Sequence, residues 1–248
     1  MSYIAIGLLA GVMSGLFGIG GGIVMTPFLI FAGLLPQQAN AVSLAVLMLP
    51  VGLPGVLMYR RSGFLNVSAA AWIGLGIIGG MIGGSALAVR ISPLLLKCLY
   101  SVFLLVVGIR MLRESTPTEG YPRYRDWPGY VLLGVLAGVM GGLFGIGGGL
   151  VLIPVLVTMF GFSPRMAAGT SLGALLLPVS LPAVLLYDQA VGIPWHHVPY
   201  VAGGFLLGSG IGALITVGAS NRVVKRMFGG FLLAVAGYFV LTGVTTVF

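Results

Sequence analysis

Gly11-Val-Met-Ser-Gly-Leu-Phe-Gly-Ile-Gly-Gly-Gly-Ile-Val-Met-Thr-Pro27 returns later in the chain as Gly138-Val-Met-Gly-Gly-Leu-Phe-Gly-Ile-Gly-Gly-Gly-Leu-Val-Leu-Ile-Pro154. Such a long repetition marks a chain built by doubling one unit. Both copies lie in apolar runs too long for a single membrane crossing. Glycine lets a helix stop, turn and restart, because it adopts positive φ without penalty. The pieces on either side hold about 13 to 15 residues, or roughly 20 Å of helix, which is short of the roughly 30 Å hydrocarbon core. Each run therefore predicts a broken helix pair, re-entrant or a full hairpin, with Gly18–Gly22 or Gly145–Gly149 at its tip.

The rest of the chain agrees with a lipid setting. Of 248 residues, 58% are hydrophobic and 6% charged, with a mean hydropathy of +1.14, whereas soluble domains carry about 25% charged residues. A water-soluble fold is excluded. Period-2 alternation of the barrel kind is absent, so the spanning elements should be helices, whose backbone groups satisfy one another. The 42 glycines and 14 prolines fit, since membrane helices carry more of both than soluble ones.

Eight apolar segments can be bracketed, at about 4–35, 39–58, 67–89, 94–112, 130–160, 166–186, 198–217 and 227–247. Residues 113–129 form the one polar linker and contain Glu114, Glu119, Arg123, Arg125 and Asp126. The expected organisation is a first repeat over 1–112, the linker, and a second repeat over 130–248. Counting each broken segment twice gives an all-α polytopic membrane protein of about ten helices.

Basic residues decide how the repeats are related. If every segment crossed once, six would face six across the membrane. If the broken segments return to their own side, only Arg90 and Lys97 oppose Arg60, Arg61, Arg110, Arg113, Arg123, Arg125, Arg165, Arg222, Lys225 and Arg226. The positive-inside rule favours the second arrangement, with inverted repeats, both termini outside and a cytoplasmic linker. The formal charge of +8 thus reports orientation, and nucleic-acid binding is not expected. With no lysine or arginine before Arg60, the first segment reads as a retained helix rather than a cleaved signal. Cys98 is the only cysteine, which leaves no intrachain disulfide or paired-cysteine metal site.

Candidate binding groups come in matched pairs. Gly20, Gly21 and Gly22, with Gly147, Gly148 and Gly149, leave N–H groups free where the following half-helices begin, and helix N-termini attract anions. The competing use of these glycines is a tight turn or close packing alone. A dinucleotide fingerprint fails because Ile23 and Leu150 stand where glycine is needed, and no phosphate-loop lysine follows. Pro50 and Pro54, matched by Pro178 and Pro182, should kink the second helix of each repeat and free carbonyls such as those of Val46 and Ala174. Ser43, Thr170 and Ser171 lie one or two turns away, as donors to a dehydrated anion or as hydroxyls bonded back to their own helix.

Gly76, Gly80 and Gly84, repeated as Gly204, Gly208 and Gly212, predict close helix packing. Asp188 is the only acid outside the linker, which disfavours a carboxylate-lined cation path. Tyr59 and Tyr187, like Trp195-His196-His197, read as interfacial anchors. No metal site and no cofactor is expected.

The doubled Gly-Leu-Phe-Gly-Ile-Gly-Gly-Gly motifs, the prolines at Pro27 and Pro154, and Gly169-Thr-Ser-Leu172 resemble the sulfite exporter TauE/SafE family of membrane permeases, over nearly the whole chain. The resemblance implies movement of sulfur-containing oxyanions or organosulfonates, such as sulfite or sulfoacetate, across the inner membrane of a prokaryote. The expected activity is secondary transport of a small anion by alternating access from a multi-pass protein in the cytoplasmic membrane. A passive anion channel is the first alternative and an intramembrane enzyme a weaker one, since no acid pair or HExxH motif is present. Lipid is the obligatory partner, and a homodimer is compatible with the pattern although its contacts are not legible.

Overall fold

The computed structural model describes residues 2–34, 36–88, 105, 109, 127–144 and 147–224, with scattered positions between 226 and 237. The fourth and eighth segments lie largely outside this set. So do Arg90, Lys97, Cys98, nearly all of the linker, and Gly145-Ile146. The described residues form ten α-helices and one 3-10 turn, with no strand among them. The first half supplies α1 (Tyr3–Phe17), α2 (Gly22–Phe31), α3 (Pro36–Met48), α4 (Leu53–Arg61) and α5 (Val67–Ala88). The second supplies α6 (Trp127–Phe144), α7 (Gly149–Thr158), α8 (Pro164–Ala174), α9 (Leu181–Val191), the 3-10 turn Trp195–His197, and α10 (Val198–Gly218).

Local chemistry explains where the helices start and stop. The Ser2 and Ser163 side chains accept the Ala5 and Met166 N–H groups at the starts of α1 and α8, and each such cap supports a helix by about 1 kcal/mol. Gly18 ends α1 at φ 66, where its N–H reaches the Ser14 carbonyl. The prolines do more than kink. α3 and α4 are separate helices bent by 46°, with Pro50 in the break and Pro54 in the first turn of α4, where no N–H is required. Pro178 and Pro182 repeat this between α8 and α9. The Val46 carbonyl is not left free as expected, because it accepts the Leu49 N–H at 3.1 Å.

Two glycine seams join the halves crosswise. α1 runs beside α10, and α5 beside α6, with glycine backbones in contact along both seams. A Cβ at Gly7, Gly11 or Gly15 would strike the carbonyl of Val201, Phe205 or Ser209, and one at Gly204, Gly208 or Gly212 that of Ile4, Leu8 or Val12. The other seam repeats the arrangement. Gly76, Gly80 and Gly84 press on Val131, Val135 and Val139, while Gly134, Gly138 and Gly142 press on Ile73, Ile77 and Met81. Bare glycine faces permit backbone contact, with Cα–H groups against carbonyl oxygens, and this substitutes for a hydrophobic drive that lipid does not provide. The close packing expected of the third segments is therefore present.

Polar side chains lock the same interfaces. Tyr59 is fully buried rather than interfacial, and its hydroxyl donates to the Gly15 carbonyl at 2.7 Å. The Thr216 hydroxyl donates to the Leu16 carbonyl at 2.7 Å. We expect Tyr59→Phe to lower stability by about 1–3 kcal/mol, since it leaves a buried carbonyl without its donor. Thermal unfolding in detergent measures this.

The two ends of the bundle differ. At one end, Arg165 places its guanidinium 4.6 Å from the centre of the Phe64 ring, bonds Asn221 at 2.8 Å and reaches the Val217 carbonyl. Arg60 and Arg61 close α4 just before Phe64. At the opposite end of α1 and α10, Tyr3 stacks on His197 at 4.0 Å, and Asp188 accepts from Ile193 N and Trp195 Nε1.

By length and composition, Val67–Ser85 and Trp195–Gly218 can each cross a membrane, and the bent α3–α4 pair can act as a third span. The outer face of α10 exposes Leu207, Ile211, Leu214 and Ile215, as a lipid-facing helix does. α1, α2, α6 and α7 are apolar but shorter than a span, in keeping with the expected broken helices.

Candidate functional site

The breaks converge at the centre of the bundle. Between α1 and α2 the chain passes through Gly18, Gly20 and Gly21 at φ 66, 76 and 71, and before α7 it passes through Gly147 and Gly148 at φ 75 and 73. At such angles any other residue costs roughly 1–2 kcal/mol. The glycine run is thus a conformational requirement at these positions. The two tips touch, because a Cβ on Gly149 would lie 2.7–2.8 Å from the Ile19 backbone.

A matched pair of leucines covers the tips. Leu175, at the α8 break, lies over Gly20, with its Cδ1 2.9 Å from where a Cβ would stand. Leu47, near the end of α3, lies 3.1 Å from the equivalent point on Gly147. A cavity of about 10 Å³ remains beside Gly20 and Gly52, walled by Leu47, Leu49, Val51, Leu172, Leu175 and Phe205, with Ser14 as its polar side chain. That volume holds about one water. Little room remains at the centre in this conformation.

The hydroxyls singled out from the sequence differ in their engagements. Ser171 Oγ donates to the Gly18 carbonyl at 2.7 Å, which ties α8 to the first glycine break. Thr170 Oγ1 accepts the Asn66 N–H at 3.1 Å, just before α5. Both hold the two halves together. Ser43 is fully buried and its Oγ has no partner. Two serines outside the expected set also bridge to the first half: Ser180 donates to the Leu44 carbonyl and Ser209 to that of Val51. The Ala174 carbonyl faces α5, 3.0 Å from where a Gly74 Cβ would stand.

Sequence reasoning missed Ser14, which is fully buried, lines the cavity and has no hydrogen-bond partner. A signal for it existed: Ser14 is the one hydroxyl in the first motif whose counterpart in the second, Gly141, has no side chain. Among the described residues, no group of three histidine, cysteine or acidic side chains could hold a metal.

Residues 3–239 match the family model described as sulfite exporter TauE/SafE. The chain belongs to this family. A TauE/SafE member is a membrane transporter, and the curated relatives carry that general name. The chain is 29% identical to a probable membrane transporter protein of Methanocaldococcus jannaschii, with 75% of the chain and 72% of the relative aligned. It is 27% identical to one from Xylella fastidiosa (strain Temecula1), covering 94% and 91%. It is 22% identical to YunE of Bacillus subtilis, a probable membrane transporter protein, with 97% of each covered. No solved structure matches the chain.

Proposed function

We propose that the protein is a secondary transporter that moves small sulfur-containing oxyanions or organosulfonates across the cytoplasmic membrane by alternating access. The observation that carries this reading is the meeting of two glycine breaks, one from each half, beside a small cavity lined by a buried serine whose hydroxyl is unpartnered. Backbone N–H groups at Gly20–Gly22, Gly147 and Gly148 hold the anion, and Ser43 serves as a side-chain donor; the Gly149 N–H, expected to be free, donates to the Gly147 carbonyl at 3.0 Å and joins them only when that bond breaks. Thr170 and Ser171 contribute when their present bonds rearrange. The breaks at Pro50 and Pro54, and at Pro178 and Pro182, act as hinges. Leu47 and Leu175 close the centre and part when one half rocks against the other.

The repeats are inverted in this reading, with Arg60, Arg61, Arg165 and Arg222 on the cytoplasmic side and Ser2 outside. Support comes from the Arg165–Phe64 contact, which brings basic residues of both halves to one end. The competing parallel arrangement would separate Arg60 and Arg61 from Arg165 and Arg222. In a Cys98→Ala background, a cysteine at Ser2 should react with an impermeant thiol reagent added to whole cells, and one at Ser62 only after the cells are opened. The reverse pattern would reject the orientation.

Transport is tested in proteoliposomes with sulfite, methanesulfonate and a potassium control. Saturable anion flux driven by a gradient is expected. Cation flux independent of the anion overturns the reading, and non-saturating anion flux assigns the protein to passive channels.

A further inference from the structure

We infer that the Ser14 hydroxyl is a direct ligand of the transported anion, and that the pocket it faces takes singly charged oxyanions in preference to doubly charged ones. This rests on the transport reading given above. Ser14 is fully buried on α1, its Oγ has no partner, and it lines the cavity beside Gly20. A buried hydroxyl left unpaired lowers stability, and native structures rarely keep one without a use. A ligand that arrives and accepts its proton supplies that use.

The second half cannot offer the same group. A Cβ at Gly141 would lie 2.7 Å from Gly148 N and 3.1 Å from the Gly147 carbonyl carbon, so that tip folds directly onto α6. On the first-half side the corresponding position carries a side chain and borders open space. The remaining partnerless buried hydroxyls among the described residues, Thr26, Ser43 and Ser85, also belong to the first half. Both halves wall the pocket, but its polar side chain, Ser14, comes from the first half alone among the described residues.

Charge selection follows from the rest of the wall. Among the described residues, six apolar side chains line the cavity, and no lysine or arginine does. The cost of moving an ion out of water grows with the square of its charge, so a dianion meets about four times the desolvation penalty of a monoanion. One hydroxyl and a few backbone N–H groups can offset the smaller penalty and not the larger.

Methanesulfonate and sulfate test both parts, because each keeps its charge over the working pH range. In proteoliposomes, the wild-type protein should move methanesulfonate with a kcat/KM at least about tenfold above that for sulfate. Ser14→Ala and Ser14→Gly should raise KM for methanesulfonate about 10- to 100-fold, the usual loss of a hydrogen bond to a charged group. In detergent, Ser14→Ala should unfold at the wild-type temperature or above, since an orphan hydroxyl is gone, while the rise in Tm caused by methanesulfonate shrinks. Wild-type protein that moves neither anion overturns the transport reading and this inference with it. Unchanged KM in both variants, with methanesulfonate transport intact, overturns the role of Ser14 alone. Sulfate handled as well as methanesulfonate overturns charge selection alone.

Discussion

Gly11→Ala should unfold the seam between α1 and α10, with a stability loss above about 3 kcal/mol, at the upper end of what overpacking costs. The new Cβ would stand 2.8 Å from Phe205 Cα and closer still to its carbonyl oxygen. Neither is the end of a flexible side chain, so the two helices must move apart along their length. Separation also strips the contacts at Gly7 and Gly15 and strains the Tyr59 and Thr216 hydrogen bonds beside them. Gly203→Ala on the other face of α10 is the control, because its Cβ meets nothing within 4 Å and alanine is the better helix former. Thermal unfolding in one detergent compares the pair. A Gly11→Ala protein melting within about 2 °C of wild type, a shift that corresponds to under 1 kcal/mol in a chain of this size, would show that the seam does not hold the halves together.

The breaks were legible because segment length and glycine chemistry point to the same positions. Gly18, Gly20, Gly21, Gly147 and Gly148 all take positive φ, which no pattern of apolar residues alone would have required. The third-segment glycines were legible as packing surfaces, but not their partners. Nothing in a local spacing of four says that α5 meets α6 of the other half, or that α10 meets α1. The matching stripe at Gly7, Gly11 and Gly15 was overlooked beside the denser cluster that follows it. Proline chemistry gave the place of the second breaks and understated their size, since a missing donor specifies a disturbance and tertiary packing sets the angle. Tyr59 misled because tyrosine near a segment end suits both an interface and a buried hydrogen bond. Only the fold puts the Gly15 carbonyl within its reach.

Gly20→Ala and Gly147→Ala should separate folding from transport. Both positions have positive φ, so each substitution costs roughly 1–2 kcal/mol in backbone strain. The new methyl meets only the movable ends of Leu175 and Leu47 at Gly20, and of Leu47 at Gly147. The protein should therefore fold, with a Tm lowered by about 2–8 °C. Transport should fall further than stability does. On the proposed reading, the added carbon occupies the space where the anion approaches the tip N–H groups, and losing one hydrogen bond to a charged acceptor corresponds to about 10- to 100-fold in kcat/KM. Gly63→Ala and Gly161→Ala supply the comparison, with φ 75 and 71 and no atom within 4 Å of the new carbon. They carry the same backbone cost far from the breaks, and should lower Tm equally while leaving kcat/KM near wild type. Equal transport losses in all four variants would mean that the tips matter only for folding. A selective loss at Gly20 and Gly147, with Tm values matched across the set, requires that the glycine tips touch the anion or the path it takes.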